Sequence, residues 1–304
     1  MSTEELLITN RAQIRKKWKE EGVDVENDIE IIRNWLKTQH HLPEMPSDNM
    51  IEFFLTNCKF SIEKTKQNID MYYTIRPLLP EIYQNTNPCL SENQAVFNWS
   101  FVLPLPKLTS SLHRVTLIKF RSVDAELISF TKWVSMFMNG IYEIKMQEDL
   151  SMGEILICDL GTLTLAYLPK INPMVIKKAA LILEKVWSNR VKGIHLVNVP
   201  AIADVLISIL KSAVSKKIKE RIYIHGKLED LFDYVSKDIL PCDYGGMEKS
   251  MDELNELWKN KLTEYKDRFL MLEKMKIDED VRPAPLKNSD LLGYYGNFKK
   301  IDID

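Results

Sequence analysis

The sequence is poor in cysteine and has no spacing that would put its cysteines to use. Among 304 residues there are four, Cys58, Cys89, Cys158 and Cys242, which lie far apart and form no CxxC pair. This distribution argues against a structural zinc site and against a disulfide framework, so we expect reduced thiols. The five histidines also lack the spacing of metal ligands, and we predict no metal site.

Long apolar runs are missing as well. No uninterrupted run approaches the roughly 18 residues that a membrane-spanning helix needs. The first segment, MSTEELLITNRAQIRKKWKEEG, lacks the apolar core of a secretory signal. The formal net charge is -2, so the chain as a whole has no bias toward nucleic acid or membranes. We therefore expect a cytoplasmic protein that associates with membranes only transiently.

The signatures of common enzyme classes are absent, because GxGxxG, GxxxxGKS/T, GxSxG and HExxH do not occur. His195 and His225 fall within predicted strands, where a hydrogen-bonded structural role is favoured over catalysis. Asp159, in the run Asp159-Leu160-Gly161 at a strand end, is typical of a turn. Cys158 has no evident base nearby and reads as a small lining residue. The sequence thus predicts no catalytic residue and no cofactor, and it favours a binding protein over an enzyme.

The pattern of apolar residues divides the chain into three parts. Residues 1–90 have helical periodicity and form a predicted all-α lobe. Residues 91–250 alternate short apolar runs with longer helices, which indicates an α/β domain with a mostly parallel sheet. Residues 251–304 form a charged helix and a Pro-rich tail. The best strands are predicted at 114–120, 153–161, 193–199 and 221–226, with helices at 125–149, 173–188 and 201–214 between them.

Two of these helices carry apolar residues at i, i+3, i+4 and i+7, and neighbouring strands add further apolar positions on one side of the sheet. Such faces are typical of a core. Small and flexible residues among large aromatics would also line an irregular cavity for a large apolar ligand, and both readings stay open. The candidate lining residues are Trp133, Met136, Phe137, Gly140, Leu156, Cys158, Ala179, Ile182, Leu183, Trp187 and Ile194.

The helix predicted at 201–214 has a continuous apolar stripe. Exposing five such side chains to water would cost on the order of 10 kcal/mol, so the helix should stay shut in solution. Against a bilayer the stripe would enter lipid and most of this cost would vanish. The sequence therefore predicts a gate that opens only at a membrane. Its apolar residues are Ile202, Val205, Leu206, Ile209 and Leu210.

Basic residues cluster around this gate. Between residues 187 and 226 they outnumber the two acids, Asp204 and Glu220. Each basic residue near an anionic membrane contributes ~1 kcal/mol, although a solvated helix face explains the charges equally well. Nucleic acid is less favoured, since the span lacks exposed aromatics and any known reading motif. The basic residues are Arg190, Lys192, Lys211, Lys216, Lys217, Lys219 and Arg221.

Several segments together resemble a known family. VKGIHLVNVPAIADVLISILKSAVSKKIKERIYIHG, followed by DILPCDYGG, resembles the CRAL-TRIO (Sec14-like) lipid-binding domain, in the branch of α-tocopherol transfer protein and retinaldehyde-binding protein. FFLTNCKFSIEKTKQNIDMYYTIRPLLPEIY is similar to the helical lobe of that family, and CDLGTLTLAYLPKINP to its central strand and turn. LLGYYGNFKKIDID is similar to the tail of insect members.

The resemblance implies a helical lobe followed by an α/β lobe that encloses one hydrophobic ligand. It also implies that residues 202–211 are the mobile gate, and that Leu206 and Ile209 join the cavity lining. Two departures stand out. The chain has FLTNCKF where relatives often have FLRARKF, and Met136 and Gly140 replace small hydroxyl residues. The residues expected to bind phosphoinositide headgroups are Lys59, Arg190, Lys192, Lys217 and Arg221.

These features favour a monomeric intracellular carrier. We expect it to move one isoprenoid-like lipid, a retinoid, carotenoid or tocopherol, between membranes, with the gate opened by phosphoinositides. An alternative keeps the fold and carries phosphatidylinositol or another phospholipid. A second alternative is an adaptor that docks on membranes without transporting lipid. No enzymatic activity is expected.

Overall fold

The computed structural model describes residues 6–283. Up to the first strand, this part of the chain is a helical region. Two of its helices begin where the sequence supplies an N-cap residue. Asp24 and Ser47 accept hydrogen bonds from the backbone of the helices that they precede. The helices are α1 (Arg11–Glu20), α2 (Val25–Leu36), α3 (Asp48–Asn57), α4 (Ile62–Leu78), α5 (Pro80–Tyr83), α6 (Ser91–Gln94) and α7 (Val96–Trp99).

A five-stranded sheet follows, in the spatial order β1-β2-β3-β4-β5. The first pair is antiparallel and the other three pairs are parallel. This arrangement confirms the predicted α/β class with a mostly parallel sheet. The strands are β1 (Ser100–Leu108), β2 (Arg114–Phe120), β3 (Glu154–Asp159), β4 (Val191–Val197) and β5 (Ile222–Ile224).

The sequence analysis missed β1. This strand contains Pro104 and Pro106, and proline cannot donate a hydrogen bond to a neighbouring strand. Such a strand can exist only at the edge of a sheet, and β1 lies at the edge. Its register with β2 shifts between Pro104 and Leu108, in the part that holds Pro106. The same prolines that make β1 hard to recognise in the sequence are compatible with its position at the edge.

The crossover helices differ from the predicted ones by including π-helical turns. The first begins at Phe130 rather than at residue 125, because Ala125–Leu127 form a separate 3-10 turn. The π-helical turns span Met136–Ile141 and Ile182–Val186. The remaining crossover elements are α8 (Phe130–Ser135), α9 (Tyr142–Glu148), α10 (Pro173–Leu181), α11 (Ala203–Ala213) and α12 (Lys216–Lys219).

The charged segment after residue 250 forms two helices and not one. α13 (Met251–Glu264) and α14 (Lys266–Lys274) meet at Tyr265, where the backbone leaves the helical conformation. Trp258 of α13 is fully buried and donates a hydrogen bond to the Pro104 carbonyl at 3.2 Å. The tail motif LLGYYGNFKKIDID lies outside the described residues. The division at residues 90 and 250 stays a prediction.

Candidate functional site

A cavity of about 200 Å³ lies between one face of the sheet and helices α8, α10 and α11. On the sheet side, Ile118, Cys158 and Leu196 stand in register across β2, β3 and β4, as do Leu156 and Ile194. Because alternate residues of a strand share a face, this register points them into one space. Carbon and sulfur atoms form nearly all of the cavity wall.

Three aromatic side chains form the wall opposite the sheet, and a fourth, Phe120, comes from the end of β2. Trp133 stacks between Phe130 and Phe137, with ring centroids 5.4 and 5.9 Å away. Phe120 meets the Trp133 ring edge-on at 5.4 Å. Interlocked aromatic rings hold one another in fixed orientations. This part of the cavity is therefore a rigid apolar wall.

The structure brings eight of the predicted lining residues to this cavity and places the others elsewhere. Met136 and Gly140 face α13, because a Cβ on Gly140 would come within 3.0 Å of Leu262. Trp187 is fully buried and stacks on Tyr142 at 4.4 Å. The residues that line the cavity are Trp133, Phe137, Leu156, Cys158, Ala179, Leu183, Ile194 and Leu206.

Two other predicted residues are also away from the wall. Ile182 is fully buried in the protein interior, and Ile209 is half-buried on α11. α11 and the π-helical turn after α10 carry apolar side chains on more than one side, so periodicity alone does not identify the side toward the cavity. Further lining residues, which were predicted neither for the cavity nor for the gate, are Val134, Met138, Ile176, Ala180, Ile207, Val214 and Ile218.

Helix α11 covers the cavity, but its buried face is not the predicted stripe. Ile207, which the prediction left out, is buried, while Val205 is 51% exposed. Ile202 is half-buried and does not line the cavity. Leu206 and Leu210 do line it. The helix therefore has apolar side chains on both its inner and its outer surface. Its movement stays a prediction.

The charged residues at the cavity wall have partners of their own. Lys119 and Asp159, at the ends of β2 and β3, form an ion pair at 2.9 Å. Asp159 also accepts a hydrogen bond from the Tyr244 hydroxyl at 2.5 Å. Burial alone would raise the pKa of Asp159, but these hydrogen bonds lower it, so the carboxylate is charged at neutral pH. Burial raises the pKa of Cys158 to about 12 and keeps the thiol neutral.

A second cavity, of about 220 Å³, adjoins the first, and we call it the basic cleft. All five residues predicted to bind a headgroup line it. Lys64 of α4, absent from the prediction, lines it too. None of these six residues pairs with a carboxylate within the described part of the chain. The residues of the basic cleft are Asn57, Cys58, Lys59, Lys64, Glu184, Ser188, Asn189, Arg190, Lys192, Ser215, Lys217, Ile218 and Arg221.

Burial and the clustered positive charges of the basic cleft lower the pKa values of two of its lysines. Burial lowers the pKa of Lys192, and the neighbouring cations Arg190 and Arg221 lower it further. The pKa of Lys217 shifts in the same direction for the same reasons. Like charges that depress one another's pKa values are relieved by an anion placed between them. The electrostatics of the cleft therefore favour a bound anion.

The basic cleft also contains unsatisfied hydrogen-bond donors. Among the described residues, Arg190 Nη1 and Asn57 Nδ2 are buried and have no partner. Lys59 and Ser188 adopt left-handed backbone conformations, with φ of 53° and 49°. Buried donors without partners are uncommon in folded proteins, and strained backbone tends to collect at binding sites. Both observations indicate a ligand with several acceptor atoms.

Two residues, Glu184 and Ile218, line both cavities. Glu184 lies in the π-helical turn after α10, and its Oε1 accepts the backbone N–H of Ser215 at 3.0 Å. Ser215 follows α11 and precedes α12. The wall between the apolar cavity and the basic cleft is thus joined directly to the end of the helix that covers the cavity.

Comparison with known proteins identifies the domain that contains this site. Residues 98–246 match the model of the CRAL/TRIO domain, and residues 22–93 match the model described as Pinta-like, UBA domain. The chain is 24% identical over 293 residues to alpha-tocopherol transfer protein-like from Homo sapiens, covering 95% of this chain and 81% of that protein. It is 23% identical over 225 residues to Clavesin-1 from Xenopus laevis, covering 73% and 68% of the two chains.

Among solved structures, the crystal structure of Sfh5 superposes with a TM-score of 0.49 at 12% identity, covering 82% of this chain and 98% of that one. Residues 98–246, which hold the sheet and the lining of the apolar cavity, are thus similar to the CRAL/TRIO domain. The Sec14-like fold predicted from the sequence is confirmed.

Residues 6–283 contain neither a membrane-spanning helix nor a cluster of metal-ligating side chains. No helix in that range has both the length and the apolar composition to cross a bilayer. Nor do three or more His, Cys, Asp or Glu side chains of that range come together as a metal site.

Proposed function

We propose that this protein carries one apolar lipid between membranes without chemical modification of it. The observation that supports the proposal most strongly is the pairing of two neighbouring cavities of opposite character. One is apolar and covered by α11, and the other is lined by six cations that form no ion pair with a carboxylate of residues 6–283. The first fits a hydrocarbon body and the second fits an anionic headgroup. The similarity to a tocopherol transfer protein-like sequence agrees with this assignment.

The proposed cargo is an isoprenoid-like lipid such as a retinoid, a carotenoid or a tocopherol. The cavity wall exposes almost no polar atoms, and the charge of Lys119 is already matched by Asp159. A headgroup buried there would lose its hydrogen bonds to water without replacement. Burial of ~500 Å² of apolar ligand is worth ~12 kcal/mol before association costs. A largely apolar cargo therefore binds best, and it needs help to leave.

The basic cleft is the proposed source of that help. A phosphoinositide headgroup supplies several acidic oxygens, which match the unpaired donors of Arg190 and Asn57 as well as the surrounding lysines. Binding at a membrane surface would orient α11 and its half-exposed Val205 toward the lipid. The protein would then be cytoplasmic in transit and peripheral at the moment of transfer.

A transfer assay tests this proposal. Retinol moved by the protein from donor vesicles should reach acceptor vesicles faster when these contain a phosphoinositide. Lys217→Ala should slow transfer to such vesicles about fivefold, because one basic residue contributes ~1 kcal/mol at an anionic surface. Lys219 lies on the same short helix outside the basic cleft, so Lys219→Ala is the matched control and should have a smaller effect. Equal effects of both variants would contradict a specific headgroup site.

A phospholipid carrier is the second candidate. The observation in its favour is that the apolar cavity and the basic cleft share a wall, so that acyl chains and an anionic head could occupy the two together. Phosphorus in the lipid extracted from the purified protein would favour this candidate. A phosphorus-free lipid would favour the isoprenoid.

A further inference from the structure

Glu184 has a position that the proposed function does not explain. It is the only acidic side chain among the described residues of the basic cleft, and it also lines the apolar cavity. Its carboxylate accepts the N–H of Ser215, two residues after the end of α11. One acidic side chain therefore touches the anion site, the cargo site and the backbone that anchors the covering helix.

An anion in the basic cleft would disturb this contact. The cations of the cleft attract a phosphate, but the carboxylate of Glu184 repels it at short range. The repulsion can be relieved if the Glu184 side chain leaves the cleft wall. Leaving breaks the hydrogen bond to Ser215 and removes an anchor from the C-terminal end of α11.

The backbone around Glu184 is suited to such a movement. Residues 182–186 form a π-helical turn, in which the Trp187 N–H donates to the Ile182 carbonyl at 3.0 Å, five residues back. A π-helical turn holds one residue more than an α-helical turn and is often found at functional sites. Relaxation to α-helical hydrogen bonding would rotate Glu184 about the helix axis. The side chain thus has a second position available without unfolding of the helix.

We propose that Glu184 couples anion binding in the basic cleft to the opening of α11, through its hydrogen bond to Ser215. This inference rests on the proposed carrier function. With cargo bound, the hydrogen bond is made and the helix is shut. With a phosphorylated inositol in the cleft, the hydrogen bond is broken and the helix is free to open. Because coupling between two sites is reciprocal, bound cargo in turn weakens anion binding.

Three variants separate this role from a general effect on folding. Ser215→Pro removes the N–H, and the backbone tolerates proline there because Ser215 has φ of -62° and Val214 is extended. Ser215→Ala keeps the N–H and serves as the matched control. Glu184→Gln keeps an oxygen acceptor for the N–H but removes the charge that repels the anion.

The measurement is the rate at which retinol leaves the loaded protein for phosphatidylcholine vesicles, with and without a phosphatidylinositol bisphosphate. Ser215→Pro should raise the release to neutral vesicles roughly fivefold, the lower end of typical coupling, and respond little to the anionic lipid. For Glu184→Gln the readout is the ratio of release with the anionic lipid to release without it, whatever the basal rate of the variant. Its stimulation by the anionic lipid should fall roughly fivefold. Ser215→Ala, which keeps the N–H, should keep the wild-type ratio of release with the anionic lipid to release without it.

A further arm distinguishes the source of the anion. A soluble inositol polyphosphate added with neutral vesicles should stimulate release if the headgroup alone breaks the contact. Stimulation only by the lipid-anchored headgroup would mean that the membrane surface contributes as well, and Glu184→Gln should reduce it in either case.

The outcomes are separable. If Glu184→Gln and Ser215→Pro keep the full wild-type stimulation, the coupling role of Glu184 is wrong while the carrier function stands. If the wild type itself shows no stimulation, the proposed function fails and the coupling fails with it. Amide hydrogen exchange of residues 203–213 provides a readout that needs no cargo, and it should be faster in Ser215→Pro than in Ser215→Ala. Equal exchange in these two variants would also overturn the role of Ser215.

Discussion

Single residues decide whether the space behind α11 is filled or empty. Ala180 lines the cavity and is 7% exposed, whereas Ala203 is fully buried and does not line it. The two alanines have similar burial, yet only the first has free volume in front of its methyl group. They therefore form a natural pair for a test of the cavity.

Ala180→Phe should place its ring in the cavity and leave the melting temperature close to that of the wild type, because the added atoms occupy empty space. Its affinity for retinol should fall at least tenfold. Ala203→Phe should be destabilised by about 1 to 3 kcal/mol, since there the ring must displace neighbours. Thermal unfolding and retinol fluorescence measure the two effects. Equal destabilisation by both substitutions would mean that the wall near Ala180 has no spare volume.

The sequence predicted the cations of the basic cleft better than the residues that line the apolar cavity. The cations of the basic cleft come from segments as distant as Lys59 and Arg221, and the resemblance to a family placed them at one site. Lys64 was not predicted to be part of the site, because a lysine on the exposed first turn of a helix resembles any other solvated residue. Asn57 and its unpaired amide escaped too, since only the folded chain shows which donors lack a partner.

At the scale of elements, helix faces were the weakest part of the prediction. A helix that is polar on one side reveals its buried side by periodicity. The π-helical turn after α8 is buried on all sides, with Met136 and Phe137 both less than 5% exposed. Which side of this segment faces the cavity depends on whether the sheet or α13 packs against that side. This information resides in the tertiary structure and not in the local pattern.

The π-helical turns and β1 were not predicted from the sequence, for different reasons. A π-helical turn has no strong sequence signal, and it changes the phase of every residue behind it. β1 was hidden by Pro104 and Pro106, which read as breakers until the edge position of the strand is known. Parallel strands β2, β3 and β4 were found because each has a short, mostly apolar and mostly buried run.

The outer surface of α11 supports a prediction at this scale. Val205 is 51% exposed, so Val205→Asp should leave the melting temperature nearly unchanged. At a bilayer the same carboxylate would oppose insertion of the helix, and retinol transfer to vesicles should slow severalfold. Ser208→Asp places the same charge at another exposed position of α11 and is the control. If both variants transfer at the wild-type rate, α11 does not enter the lipid.

At the scale of the whole molecule, the helical region and the sheet region build the basic cleft together. The helical region contributes Asn57 and the cations Lys59 and Lys64, and residues 190–221 contribute the remaining cations of the cleft. The Asn68 amide donates to the Ser188 hydroxyl at 2.8 Å across this boundary. Farther away, Arg268 of α14 binds both Glu44 and Glu143. The cleft therefore depends on the packing of parts that are distant in sequence.

The central claim is that the space between the sheet and α11 holds a lipid. The most direct test is native mass spectrometry of the protein purified without detergent, with Ala180→Phe prepared in parallel. The wild type should carry one additional neutral mass that solvent extraction recovers as a phosphorus-free lipid, and Ala180→Phe should carry none. A wild-type mass equal to that of the bare chain after incubation with retinol, carotenoid or tocopherol would contradict the claim.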